Sequence, residues 1–339
     1  MVTARRTGTN EDCRNDADTA FLGRAGTYGT ASRDFSALAN WEVDNDRDLV
    51  ADDKSLVLEA FDDETSFDDS INMAGSTTSS TLFRILRAAS GEGHDGTSNN
   101  GVHFASTTDM ASVAHFQLNE TNVHCQDLIV SIAVNSANLN VGFGIIADTF
   151  MIGMIGFDFI NNGSSVARGM NLTGTAILCL IENCENQAFL LATDSVMYNC
   201  IAIGNALTGF FDNGSTQSVK NCLSDGNTTD FGSFSGATLD SNASGDTTAS
   251  GTGARISQTF TFVNASGNDY HLDTGDSGAR NFGTDLSGDA TFAFDDDIDF
   301  ELFDTWDIGF DESQVAAGGL SIPVAMASYR RRRAMHNVS

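Results

Sequence analysis

The chain has 339 residues, 46 acidic against 17 basic, for a formal charge of −29, with 33 Gly, 24 Phe and a single Pro. Stretches rich in Ala, Leu, Glu and Lys are scarce, which argues against long helices and for an all-β chain with many turns. A surface this acidic repels phosphate backbones and argues against nucleic acid as a partner.

The opening MVTARRTGTNEDCRNDADTA carries charge but no apolar h-region, so no secretory signal is expected. SRDFSALANWEVD then places Phe35, Leu38 and Trp41 at spacing three behind Ser32. That spacing predicts a short amphipathic helix with Ser32 as N-cap, lying over the first turn of whatever follows.

From about residue 50 the chain becomes a series of short apolar runs divided by Gly, Asn, Ser and Asp: LVLEAF (56–61), INMAG (71–75), LFRILRAA (82–89), GVHFAS (101–106), VAHFQL (113–118), HCQDLIVSIAV (124–134) and MIGFDFINN (154–162). The most apolar stretch, 143–160, is interrupted by Asp148, Asp158 and glycines, so no membrane span is expected. Further on a period emerges. VMYNCIAIGNALTGFF (196–211) and VKNCLSDGNTTDF (219–231) share an Asn-Cys pair, a following Gly-Asn and a downstream Phe. Cys179, Cys200 and Cys222 follow one another at 21 and 22 residues, Asn205 and Asn227 at 22, and Phe189, Phe210 and Phe231 at 21.

A period of 21 to 22 with β-type runs suits one coil of a right-handed parallel β-helix, a single-stranded solenoid whose equivalent residues stack at ~4.8 Å. The reading predicts an inward cysteine stack, a phenylalanine stack and an asparagine ladder in which the amide bonds to the next coil and Asn takes the left-handed turn. About ten coils of this length would fill residues 50–265. The expected organisation is an arm and capping helix (1–48), the β-helix (49–266), an acidic irregular C-terminal cap (267–318) and a basic tail (319–339).

Two segments resemble a family. Residues 33–104, with the Trp-bearing helix, "AGSTT", "RILRAA" and "GHDGT", resemble the opening of phage and environmental right-handed parallel β-helix proteins of the pectate-lyase-like type. Residues 262–313, with "FVN", "DYHL", "ARNFG" and "DIGFDE", resemble the terminal module of bacterial and viral β-helix repeat proteins. The resemblance implies the fold, and its members include polysaccharide lyases, glycoside hydrolases, tailspikes, adhesins and structural virion proteins, so it does not choose among functions.

Polysaccharide hydrolysis of the pectin type calls for paired aspartates with Gly-His-Gly and Arg-x-Lys, and the nearest approaches are Gly93-His94-Asp95 and Arg84-Ile85-Leu86. A lyase needs a carboxylate cluster and a base. Over 107–250 the Lys and Arg are Arg168 and Lys220, and Asp158, Asp194, Asp212 and Asp225 occupy turn-like positions. Asp295, Asp296, Asp297, Asp299 and Glu301 offer hard oxygen ligands for calcium, but without EF-hand spacing, so a solvated acidic loop is expected. His103, His115 and His124 lack zinc spacing and are expected to face outward from strands. The six cysteines contain no Cys-x-x-Cys and are expected to be reduced and structural.

Taken together, the sequence predicts a non-enzymatic virion structural protein, assembled in the host cytoplasm as a capsid decoration, turret or fibre component, with other virion proteins as partners and a homotrimer as the expected oligomer. The alternatives are a polysaccharide-degrading tailspike or lyase, with a glycan partner, and an extracellular surface adhesin. The tail supplies the docking element, with Ile322, Pro323, Val324, Tyr329, Arg330, Arg331, Arg332 and Arg333 as its residues: Ile322, Val324 and Met326 are expected to insert or pair, and the four arginines to grip carboxylates.

Overall fold

A computed structural model describes residues 22–30, 32–110, 114–146, 148–232 and 234–313. The arm 1–21 with Cys13, and the docking residues Ile322 to Arg333, lie outside the described residues.

Three parallel sheets of nine, seven and seven strands run the length of the protein, and within each the strands stack in chain order. Each full coil contributes one strand to each sheet, as in Val123–Gln126, Ile129–Val134 and Asn140–Ile145, which makes the molecule a parallel β-helix. Alternate side chains turn inward. In the third sheet the inward column runs Ile71, Phe116, Phe143, Met170, Phe189, Phe210 and Phe231 by direct register. Phe189, Phe210 and Phe231 stack face to face at 5.0 and 4.9 Å.

The coils are less uniform than the period suggests. Val57 pairs Ile85, 28 residues on; Ile85 pairs His124, 39 on; His124 pairs Phe150, 26 on. Only from Thr175 do Val196 and Ser218 follow at 21 and 22. The excess in the longest coil includes the loop 89–102, which leaves the barrel of coils and reaches the C-terminal segment.

At the N-terminal end, strand Leu22–Tyr28 already pairs in parallel with Ser55–Ala60, so stacking begins ahead of the helix. The helix is Leu38–Asn45 and buries Leu38 and Trp41. Ser32 is not its cap. Thr27 and Phe35 close a tight loop through backbone bonds, and Asp34 is taken by Thr27, so the chain cannot begin a helix at 32. The Leu38 N–H instead donates to the carboxylate of Asp69, which also accepts from the Tyr28 hydroxyl. The helix is pinned by Arg84, fully buried, whose guanidinium pairs with Glu42 on the helix and, at 2.8 Å, with Glu120 one coil on, and lies 5.1 Å from the Trp41 ring.

Residues 260–313 form an irregular segment that starts ahead of the cap expected over 267–318, and its contacts are lateral. Phe260, Tyr270, Leu286, Phe292, Trp306 and Phe310 pack over outward side chains of the first two sheets, among them Ile129, Phe150, Ile177, Ile201 and Leu223. These sheet positions are apolar on their outer face, and the segment supplies the cover that an open sheet face would lack.

Candidate functional site

The seam between solenoid and flank segment is where polar chemistry concentrates. Its base is the corner between the first and second sheets, where Asp127, Gly153, Leu178, Asn199, Asn221 and Ser241 all have positive φ, one per coil. The next residues turn inward as Cys179, Cys200 and Cys222, each fully buried. The Asn-Cys pairs are thus two-faced: the thiol enters the core and the asparagine, tolerating the left-handed backbone, turns toward the flank. Asn199 donates to the Gly309 carbonyl at 2.7 Å. Asn221 donates to Asn199 at 3.1 Å and to the Thr284 carbonyl at 2.8 Å, and accepts from the Thr284 N–H at 2.8 Å. This latch was missed at the sequence level, although the repeated Asn before Cys was its signal.

The ladder of Asn205 and Asn227 sits at another turn. Asn205 accepts from the Cys184 N–H, and Asn227 accepts from both the backbone and side-chain amides of Asn205 at 2.7 and 2.8 Å. The left-handed residues here are the preceding Gly204 and Gly226, not the asparagines. Glycine takes the strained backbone, which frees each asparagine to satisfy amides between coils.

The flank segment has little regular structure, and its buried backbone N–H groups are answered by carboxylates. Asp276 accepts from the N–H groups of Thr261, Gly278, Ala279 and Arg280. Asp297 accepts from Asp299, Glu301 and Glu312, and Asp307 from Asn281 and Ser313. The expectation of a solvated acidic loop at 295–301 therefore fails for Asp296 and Asp297, which are buried, while Asp295 is exposed. Burial pushes Asp297 well above the usual carboxylate range, with Asp311 and Asp299 adding to it.

Where the flank segment meets loop 89–102, His271 stands among carboxylates. Its Nδ1 lies 2.6 Å from Asp269, and its Nε2 faces Asp299 at 3.3 Å. Asp311, buried, accepts from the Leu272 N–H at 2.9 Å. Burial lifts Asp311 to about 7 against the pull of His271. Against desolvation, which lowers it, Asp299 and Asp311 raise His271 to about 10. Of the acidic run, only Asp299 reaches this cluster, which among the described residues is the one His, Cys, Asp and Glu group able to converge on an ion.

The other predicted residues have local roles. His124 faces outward from its strand, away from the core column, and is covered there, stacked on Phe150 at 4.6 Å and beside Phe83; His115 is buried. His94 binds the Gly153 carbonyl and holds loop 89–102 on the corner. Lys220 pairs with Asp289 of the flank at 2.5 Å. Asp212 accepts from Gly214, Gln217 and Ser235 across a turn, Asp158 from Asn183 and Asp194 from Thr216. Cys125, Cys179, Cys184, Cys200 and Cys222 are free and buried, and burial pushes the Cys184 thiol up to about 12. On the third sheet a cleft of about 280 Å³ opens beside Gly144, lined by Gln117, Asn171, Leu190 and Asn213. Among the described residues no helix is long and apolar enough to cross a membrane.

No family model matches the chain, and neither the curated proteins nor the solved structures contain a match to it.

Proposed function

We propose that this chain is a structural protein of an assembled particle, a capsid decoration, turret or fibre component of a virion, in which the β-helix serves as a rod and residues 319–339 as the docking element. The observation that supports it is the lateral brace. A solenoid held only by nearest-neighbour contacts opens from its ends. Here one segment touches the loop at 94–99 and also the corners at Asn199 and Asn221, tying coils far apart in the stack. Such bracing favours a rod that resists unzipping, which is what a component under mechanical and proteolytic exposure needs. The chain's formal charge of −29 already includes the four arginines of the tail, so the body is strongly acidic and complements them, which makes a second copy of the chain a fitting acceptor and a homotrimer a fitting assembly.

Mass spectrometry of purified particles tests the reading. Wild-type protein should be present and a chain lacking 319–339 should fold but not be incorporated; absence of the wild-type protein from particles would refute it.

The cleft on the third sheet favours glycan binding as a second reading. The Asn171 side-chain oxygen Oδ1 there is buried without a hydrogen-bond partner, and Gln117 and Asn213 line the same cleft. Incubation with acidic polysaccharides, read for retained ligand and for new reducing or unsaturated ends, separates a glycan-binding rod from a glycan-cleaving one.

A further inference from the structure

We propose that His271, Asp299 and Asp311 form a binding site for a single divalent transition-metal ion of the zinc class, which clamps the flank segment shut. One ligand atom from each residue lies within 4.8 Å of the other two. The donors come from three places in the chain: strand Asp269–Leu272, the turn after Asp297 and the stretch following Gly309.

Four observations bear on the ligand. First, Asp269 holds the Nδ1 side of the imidazole at 2.6 Å, so that an ion displacing the other ring proton would meet the Nε2 lone pair; a carboxylate behind a histidine is the usual arrangement in metal sites. Second, Nε2 is buried and makes no hydrogen bond, and its nearest partner is the Asp299 oxygen at 3.3 Å. Two ligands about 2.05 Å from a tetrahedral ion stand about 3.3 Å apart, so this pair already has the spacing of a tetrahedral edge.

Third, the backbone makes room. Gly96 of loop 89–102, at φ +79°, comes so close that a Cβ there would stand 2.2 Å from Nε2. Any other residue would fill the space at the edge of the ring. Fourth, carboxylates gather around one imidazole: Asp269 at 2.6 Å, Asp299 at 3.3 Å and buried Asp311 with an oxygen within 4.8 Å of the other ligand atoms, a donor set that a divalent cation can bridge.

The donor set selects the ion. One imidazole nitrogen with two carboxylate oxygens suits zinc and its neighbours, whereas calcium takes six to eight oxygens. Asp299 is partly exposed and leaves a side for water to complete the coordination.

The test uses the full chain stripped with a chelator. Calorimetric titration with Zn²⁺ should show one ion per chain, and Co²⁺ should give visible d–d bands without thiolate charge transfer. Asp299→Asn, at a partly exposed position, should keep the circular dichroism spectrum and weaken Zn²⁺ at least about tenfold. His271→Gln should do the same, and Asp295→Asn should bind like wild type. Zn²⁺ should raise the melting temperature of wild type but not of Asp299→Asn. Failure of the wild type to bind stoichiometrically, or unchanged binding in Asp299→Asn and His271→Gln, would overturn the proposal and leave His271 as the protonated partner of the carboxylates.

Discussion

The solenoid and the flank segment both bury backbone, and they satisfy it by opposite means. In the solenoid each strand's N–H and C=O groups pair with the next coil, so side chains are free to be apolar and to stack, as Phe189, Phe210 and Phe231 do. In the flank the described regular structure is one two-stranded ribbon, Phe262–Asn264 with Asp269–Leu272, and a 3₁₀ turn. There Asp276, Asp297, Asp307 and Glu312 take the amides that a sheet would have paired. A buried N–H left unpaired costs about 1–3 kcal/mol, so the acidity of this region is structural rather than solubilising. The difference teaches that one chain can alternate between repetition and local capping as its source of order.

The comparison breaks most visibly at two substitutions, one in each region's contacts. Phe210→Ala, in the middle of the stack, should cost about 3–5 kcal/mol and lower the urea midpoint of the whole molecule. Asn221→Ala should cost less, about 2–3 kcal/mol, because it strips partners from Thr284 and Asn199 while coil pairing persists. Its signature is selective: amide exchange should rise over 279–310 but not over 175–231. Asn221→Gly should restore the left-handed backbone and still lose the latch, which separates conformation from bonding.

Acidity sharpens the contrast. Burial lifts Asp311 and Glu312 to about 7, Asp307 is raised for the same reason, and His271 stands near 10. For every one of these the folded value exceeds the unfolded one. Their stabilising contribution is therefore complete below the unfolded value and lost as pH rises through the folded value. Asp289 has the opposite sign: against desolvation, Lys220 and the Thr291 and Phe292 amides hold it low, so its contribution is lost on acidification. In chelator, flank melting should be higher at about pH 5 than at about pH 9, whereas the stack of Phe189 to Phe231 should show little change. The smallest effect concerns the thiols. Cys179, Cys200 and Cys222 should resist a thiol reagent in the native state, and react only at the rate at which coils open.

What was legible in the sequence follows the same division. Equal coils from Thr175 to Phe231 left a period, and with it the Phe stack and the parallel fold. Longer coils upstream kept the strands but lost the period, because loops such as 89–102 are spent on contacts outside the solenoid. Ser32 misled because local spacing cannot show that Asp69, far along the chain, will cap Leu38. The flank was legible only as acidic, since a carboxylate that caps buried amides looks in sequence like one that faces water. Asn199 and Asn221 were visible as repeats, but the partner they bind, Gly309 and Thr284, carries no pattern of its own.

Native-state hydrogen exchange on wild type and Asn221→Ala tests the brace most directly. It should show amides of 262–310 protected in the wild type, exposed first in the variant, and the coil amides of 175–231 protected in both. Unprotected flank amides in the wild type, or loss of protection over flank and coils together in the variant, would contradict a rod stiffened by a separate lateral brace.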